Sequence, residues 1–435
     1  MSFLPPQEQL EILQGSVAPV DIIEEAELLH KLERSQAENR PLIVKQGFDA
    51  SAPDLHIGHA VSLWKLRTFQ ELGHKVVFVI GDFTGMVGDP SGKSKTRPRL
   101  TLEEVAAYAQ TYREQVFKIL LDDPARGEIR CNSEWHAQRT VYDLLDLCSK
   151  HTVRRMLDRD DFWQRFQAEQ PISMLEFIYP LLQAYDSVAL HADVELGGSD
   201  QRFNLLLVRQ IQRAYRQPPE VAFLMPLLHG VDGAEKMSKS LDNAVGIADT
   251  PDDIYGKVMS ISDDLLQEYF ILASGLEFPG ARFSAADPPQ SAAVSDDLLS
   301  TIKSDPYQAK QHLARLITAR YHGETAAQRA GEVFKARFQQ RELPSADELR
   351  AQGNVLIYDK SSEWLPRLMV AAQSAVSNSE GMRLIKSGAV YVDGKRITAD
   401  GNLDLELTKP RIVKVGKLKV FLVEVGREKR RKEEN

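Results

Sequence analysis

At 435 residues the chain exceeds one ordinary core, so two or three domains are expected. Apolar content of 43% with 27% charged residues excludes a disordered or fibrous chain, and two cysteines exclude a disulfide framework or Cys-rich zinc site, which places the chain in a reducing, cytoplasmic setting. The net charge of −8 argues against a chain coated in nucleic acid, but residues 382–435 hold 14 Lys+Arg against 8 Asp+Glu, a local +6 that leaves −14 elsewhere.

An acidic body with a basic tail predicts one dedicated polyanion-binding module, although a solvated charged end accounts for Arg427–Asn435 equally well. Met1–Pro6 lacks the basic and apolar regions of a signal peptide, and runs such as Val76–Ile80 are far short of a membrane span. Ile22, Leu28, Leu29 and Leu32 recur at helical spacing. Leu42–Asp49 reads as a buried strand, Gly58–Glu71 as a helix and Lys75–Ile80 as a second strand. Such a βαβ unit implies a parallel sheet with its ligand at the carboxyl ends of the strands, where His56 and Asp82 fall. Leu102–Leu121 and Val141–Leu157 read as helices; Glu128–Cys131, Val194–Leu196 and Val221–Leu228 read as strands. The stretch from about 120 to 200 is expected as an insertion. After Leu241 helices are predicted at Asp252–Met259, Leu265–Leu272, Pro306–Tyr321 and Ala326–Gln340, with a Pro/Ala/Ser-rich loop at Pro279–Gln290. Short strands at Ala389–Val392 and Lys417–Val425, with a turn at Asp393-Gly394, close the chain.

Two strings carry most of the chemistry. His56-Ile57-Gly58-His59 sets two imidazoles one turn apart at a helix start, where unpaired N–H groups favour an anion. A metal pair is the alternative, but no third ligand or HExxH frame accompanies it. Lys236-Met237-Ser238-Lys239-Ser240 places two ammonium groups and two hydroxyls on a small-residue loop suited to phosphates. Together they point to ATP. Gly81–Lys93 follows the second strand with four glycines, Asp82 and Asp89, and is not a Walker loop. Asp82 reads either as a ligand carboxylate or as a turn former. Lys93, Lys95 and Arg97 form a basic loop, phosphate clamp or solvated. Tyr179, Gln183 and Asp186 share one stripe of a helix that is otherwise apolar nearly all round, so they face a polar ligand or an internal polar network. Gly197-Gly198-Ser199-Asp200-Gln201 suits a backbone wrapped round a ribose, or an ordinary turn.

In combination these strings resemble the class I aminoacyl-tRNA synthetases, specifically the bacterial-type tyrosyl-tRNA synthetases. The resemblance runs from about residue 20 to the C-terminus. It implies a Rossmann-like α/β catalytic domain over 1–245, a helical anticodon-binding domain over 246–345, a linker at 346–358 and a small α+β S4-like RNA-binding domain over 359–435. It also implies activation of L-tyrosine by ATP, with Mg2+ on the phosphates, and transfer to tRNA by a homodimer formed through the insertion. Asp186 is then expected to read the tyrosine hydroxyl; Asp89, Tyr179 and Gln183 hold its ammonium group; Asp49 also belongs to the tyrosine-binding set; Gln201 faces its carboxylate. Asp200 and Gly198 take the ribose, Ser51, His56, Gly58 and His59 line the ATP site, and Lys93, Arg97, Lys236, Lys239 and Ser240 close on pyrophosphate. Arg383, Lys386, Lys395 and Arg396 are the expected RNA contacts. One position departs from the pattern: Lys45 stands where the familiar branch has a tyrosine helping to bind the phenol. The tryptophan enzyme is the nearest rival, and a non-catalytic RNA-binding protein the rival from another class.

Overall fold

The computed structural model describes residues 3–15, 20–50, 54–90, 101–276, 296–338, 343–399, 401–416 and 419–425. The chain forms two compact units, 1–331 and 332–435.

In the first unit, α1 (Pro6–Gly15), β1 (Asp21–Ile23) and α2 (Glu25–Glu38) lead into β2 (Ile43–Asp49), α3 (Ile57–Glu71) and β3 (Lys75–Gly81). α4 (Leu102–Val116), β4 (Gly127–Cys131), α5 (Met174–Leu190), β5 (Val194–Gly198), α6 (Arg202–Ala214) and β6 (Val221–Met225) follow. The sheet order is β1-β6-β5-β2-β3-β4, with β2 to β6 parallel and β1 antiparallel at the edge. β3 and β6 are buried almost throughout, as strands covered on both faces require, which is why they read as unbroken apolar runs. Register sets Asp49 beside Gly81 and Gly198 beside Met225, so the strand ends that carry chemistry form one rim. The chain leaves β2 in one direction towards β3 and β4 and returns on its other side through β5 and β6. The crevice at that reversal is where such sheets bind ligands.

Three expectations need correction. Ile22 lies in β1, paired with Phe223, and the helix starts only at Glu25; a three-residue edge strand is too short to show its period. The insertion expected over 120–200 is narrower, because β4 and β5 at its ends belong to the sheet and α5 packs its Leu181, Ala184 and Val188 on Leu207, Val208 and Ile211 of α6. The interposed part is the run of short helices between Ser133 and Gln167. The third correction is the linker at 346–358. It is ordered structure, α12 (Ala346–Ala351) and β7 (Val355–Tyr358), with β7 parallel to the last strand of the chain.

After residue 246 come α7 (Pro251–Met259), α8 (Leu266–Ala273), α9 (Asp296–Ser304), α10 (Pro306–His322) and α11 (Glu324–Phe338); all but α9 were expected from the sequence. Through Gly331 they share the unit of the sheet, and α8 packs on α3. The loop expected at Pro279–Gln290 lies outside the described residues.

The second unit continues with β8 (Ser362–Trp364), α13 (Leu365–Ala371), α14 (Asn378–Lys386), β9 (Val390–Val392), β10 (Lys395–Arg396), β11 (Asp404–Glu406), β12 (Arg411–Val415) and β13 (Lys419–Val425). Its five-stranded sheet runs β10-β9-β12-β13-β7, and β8 pairs with β11. Leu368, Met369, Ile385, Val413 and Val423 centre its core. The two-residue turn joining β9 to β10 has φ of 47° at Asp393 and 78° at Gly394; two successive positive values are what a tight hairpin requires and what an Asp-Gly pair tolerates. Among the described residues no helix is long and apolar enough to cross a membrane.

Candidate active site

A cavity of about 830 Å3 opens at the carboxyl ends of β2, β3, β5 and β6 in the first unit. Asp49, His56, Gly58, His59, Asp89, Tyr179, Gln183, Asp186, Gly198, Asp200, Gln201, Lys236 and Lys239 all line it, so thirteen residues singled out from sequence converge on one space. Ser51, Lys93 and Arg97 lie outside the described residues, as does the side chain of Ser240. Asp82 does not line the cavity. Its carboxylate accepts the Phe83 and Ser133 N–H groups and the Ser133 hydroxyl, which makes it the local structural carboxylate that a turn former implies.

The two signature strings meet here. α3 opens with His56 as its N-cap, and a Cβ placed on Gly58 would stand 3.0 Å from His56 Nδ1 and 3.4 Å from Met237 Cβ. The tight contact that favours glycine at 58 is with the His56 ring, while Met237 of the second string lies at van der Waals distance. The chain beyond the second string is stitched to the helix start: Ile57 N–H donates to Val245 O at 2.9 Å, and Ile247 N–H to Leu55 O at 3.1 Å. His56 and His59 stack at 3.6 Å, and His56 N–H donates to His59 Nδ1 at 3.3 Å, which puts the His59 proton on Nε2. Burial first, and then nearby positive groups including Lys236 and Lys239, hold His56 well below its ordinary range and His59 at about 4. Both rings are therefore neutral donors at neutral pH. Among the described residues lining the cavity, the positive charge comes from Lys236 and Lys239.

Each of those lysines rests on a carboxylate. Lys236 Nζ is 2.6 Å from Asp200 Oδ2, and Lys239 Nζ is 2.6 Å from Asp54 Oδ2. Gln115 donates to the other Asp54 oxygen at 2.7 Å, and burial opposes but these partners outweigh it, leaving Asp54 below its ordinary pKa. Asp54 was not apparent from sequence.

α5 supplies the opposite wall. Its Tyr179 donates to Asp49 Oδ2 at 3.0 Å, while Thr84 donates to Asp49 Oδ1 at 2.7 Å. Burial, then Asp49 and Asp89, push the Tyr179 phenol well above its ordinary range, so it stays protonated and its lone pairs remain available. Gln201 Nε2 donates to Asp89 at 2.9 Å, and Asn204 Nδ2 bridges Gln201 Oε1 at 2.8 Å and Gln183 Oε1 at 3.0 Å. One turn further, Asp186 Oδ1 accepts from Trp135 Nε1 and His136 Nε2, both at 2.8 Å, and Oδ2 accepts from Asn132 Nδ2 at 3.3 Å. A carboxylate has about four acceptor positions, so one remains on Oδ2. The stripe thus has both of the predicted features at once: an internal polar network and a face on the cavity.

Lys45 does not line the cavity. Fully buried behind it, the ammonium group lies 3.2 Å from Glu195 Oε1 and donates to Gln183 O at 3.3 Å. Burial works to lower its pKa, but Glu195 and Asp186 outweigh that and leave it raised, so it is charged. Glu195 also accepts from Gln183 Nε2 at 3.4 Å and Ser187 Oγ at 3.1 Å. Beside it, burial and then the Glu195 charge push Glu220 well above the usual carboxylate range, so that carboxyl keeps its proton. Lys45 is therefore a counter-charge beneath the wall. Asn132, Trp135, His136 and Glu195 escaped the sequence reading, although Asn132 to His136 follow β4 directly and the strand-end rule covers that position.

In the second unit Arg383 and Lys386 lie on α14 and Lys395 and Arg396 on β10, all exposed; Arg396 Nη2 donates to Ser387 O at 3.4 Å, joining the two elements. Among the described residues no group of three or more His, Cys, Asp or Glu side chains is arranged to hold a metal.

A family model for class I tRNA synthetases (W and Y) matches residues 36–339. The chain is 47% identical to a tyrosine–tRNA ligase of Moorella thermoacetica over 94% of both chains. It is 48% identical to that of Geobacter metallireducens over 90% of this chain and 93% of the relative. In fold, it is similar to a tyrosyl-tRNA synthetase from Archaeoglobus fulgidus solved with L-tyrosine, with a TM-score of 0.57 at 21% identity over 75% of this chain and 99% of the other. The chain belongs to the class I tRNA synthetases, in their tyrosine–tRNA ligase family.

Proposed function

We propose that this cavity activates L-tyrosine with ATP to tyrosyl-adenylate and pyrophosphate, and then passes the tyrosyl group to the terminal ribose of tRNA(Tyr). The meeting of Gly58 and Met237 over a cavity that also contains Asp186 carries the reading. The tyrosine carboxylate attacks the α-phosphorus of ATP, a P–O bond forms, and the bond to pyrophosphate breaks. A carboxylate is nucleophile enough, so no general base is required. The protein aligns the reactants and stabilises charge on the departing diphosphate.

Asp186 takes the phenol O–H with its remaining acceptor position. Asp89, Tyr179 and Gln183 take the ammonium group, with Asp49 holding Tyr179 in orientation. Gln201 faces the carboxylate, and Asp200 with Gly198 the ribose. His56 and His59 donate to phosphate oxygens as neutral imidazoles, while Lys236 and Lys239, with Ser51, Lys93, Arg97 and Ser240, gather round the pyrophosphate. A ribose that engages Asp200 releases Lys236 from its ion pair towards the phosphates. Magnesium enters with the nucleotide as part of the substrate, and the described residues offer it no cage of their own.

Arg383, Lys386, Lys395 and Arg396 meet phosphates of structured RNA. A second copy of the chain covers the surface between residues 141 and 174, where seven of the thirteen exposed large apolar side chains among the described residues fall, Tyr142 at 82% exposure among them. Sedimentation tests this pairing: a homodimer supports it and a monomer at assay concentration contradicts it. Amino-acid-dependent exchange of labelled pyrophosphate into ATP tests the activity. Tyrosine alone stimulates exchange on this reading; stimulation by tryptophan, or no exchange, overturns it.

A further inference from the structure

We infer that Glu268 and Tyr269 of α8 are positioning residues for the activation step, because together they fix His229 and through it the hairpin that carries Lys236 and Lys239. The inference rests on the reading of that hairpin as the pyrophosphate clamp.

Beyond β6 the chain turns into a hairpin whose arms are tied by short backbone contacts. Gly230 N–H donates to Glu235 O at 2.9 Å, Met237 N–H donates to Leu228 O at 2.8 Å, and His229 forms an antiparallel bridge with Lys236. Whatever sets His229 therefore sets Lys236, whose ammonium group lies in the cavity. Three hydrogen bonds from α8 converge on that one residue. Glu268 Oε1 accepts the His229 backbone N–H at 2.7 Å, Glu268 Oε2 accepts from His229 Nδ1 at 2.8 Å, and Tyr269 Oη donates to His229 O at 2.8 Å. Both main-chain groups and the ring of His229 are thus fixed by adjacent residues of a single helix. Tyr269 is fully buried, so its hydroxyl needs a partner, and a hairpin residue provides it. The same helix packs on α3, which opens at His56. One rigid element accordingly references both halves of the site.

A charge that stabilises a leaving group acts only if held in place, and misplacement by about 1 Å costs up to 100-fold in rate. Nothing in α8 touches the tyrosine end of the cavity, so the effect falls on the nucleotide half.

The test uses the full chain in pyrophosphate exchange, with ATP and tyrosine varied separately. For Tyr269→Phe and Glu268→Ala, the exchange kcat is expected to fall or the ATP KM to rise by roughly 10- to 100-fold, with the tyrosine KM unchanged within about twofold. Glu268→Gln still accepts the His229 N–H and donates to the other imidazole tautomer, so it restores most of what alanine loses. A merely structural role lowers the melting temperature of all three and leaves the kinetic split unmoved. Wild-type kinetics in Tyr269→Phe, equal loss of both substrates, or glutamine no better than alanine overturns the inference. Should Glu268→Ala fail to fold, Tyr269→Phe, which removes one atom, decides it alone. A wild-type chain silent in exchange overturns the reading of the site and this inference together; an active wild type with unaffected variants overturns the inference alone.

Discussion

Replacing Asp186 by asparagine is the sharpest perturbation of the amino-acid end. Three donors converge on this carboxylate, from Trp135, His136 and Asn132, and the proposed phenol O–H makes a fourth. An amide offers one acceptor oxygen in place of two. Whichever way it turns, its NH2 faces at least one of those donors, and one of the negative charges acting on Lys45 is gone while Glu195 remains. A hydrogen bond to a charged group contributes about 1.5–3 kcal/mol, so the exchange kcat/KM for tyrosine should fall roughly 10- to 150-fold. Phenylalanine has no hydroxyl to lose, and its own weak kcat/KM should change little. The tyrosine-to-phenylalanine ratio then collapses by nearly the whole factor. Exchange assays with both amino acids measure it directly. A ratio held at the wild-type value, with both rates lowered equally, would refute the assignment of Asp186 to the phenol.

Lys239→Ala removes a cation from the leaving group and should lower the activation kcat by about 100- to 1000-fold, with the tyrosine Kd by equilibrium dialysis unaltered; a large loss of tyrosine binding counts against its role. His74 is buried with Nδ1 accepting the Leu42 N–H and Nε2 on Gln9, and burial, only partly opposed by Asp193, holds it at about 4. Its folded pKa lies below the unfolded value, so the unfolded chain binds more protons in between. Its contribution is complete above about pH 6.5 and is lost as pH falls towards 4. Urea titrations at pH 7 and 4.5 should show about 2–3 kcal/mol less acid loss in His74→Asn than in wild type, and identical losses contradict the argument. Removing residues 343–435 should spare tyrosine-dependent exchange and impair transfer to RNA; collapse of both activities contradicts the modular reading.

The βαβ unit was legible because β2, α3 and β3 lie close in sequence and their apolar runs carry their own period. The Asp393-Gly394 turn was equally local. Side chains of the site were legible where a motif held them together, as at His56–His59, or where helical spacing did, as with Tyr179, Gln183 and Asp186. What stayed hidden depends on distant pairing. β4 pairs with β3 about fifty residues away, β5 pairs with β2 about a hundred and fifty residues away, and β7 pairs with β13 across the whole second unit, so the first two passed as borders of an insertion and the last as part of a linker. Lys45 is the same lesson in a side chain. Its position beside the pocket was evident, but its partner Glu195 and its orientation away from the cavity follow from parallel pairing of β2 with β5. Asp54 and Glu268 look like ordinary surface acids until the hairpin folds against them.

The most direct measurement is a crystal structure of the chain with a non-hydrolysable tyrosyl-adenylate analogue. The account predicts density in the first-unit cavity, with the phenol oxygen in hydrogen-bond range of Asp186, the ribose at Asp200 and the hairpin lysines turned towards the phosphate. An analogue bound elsewhere, or bound there with the adenine against Asp186, would contradict it.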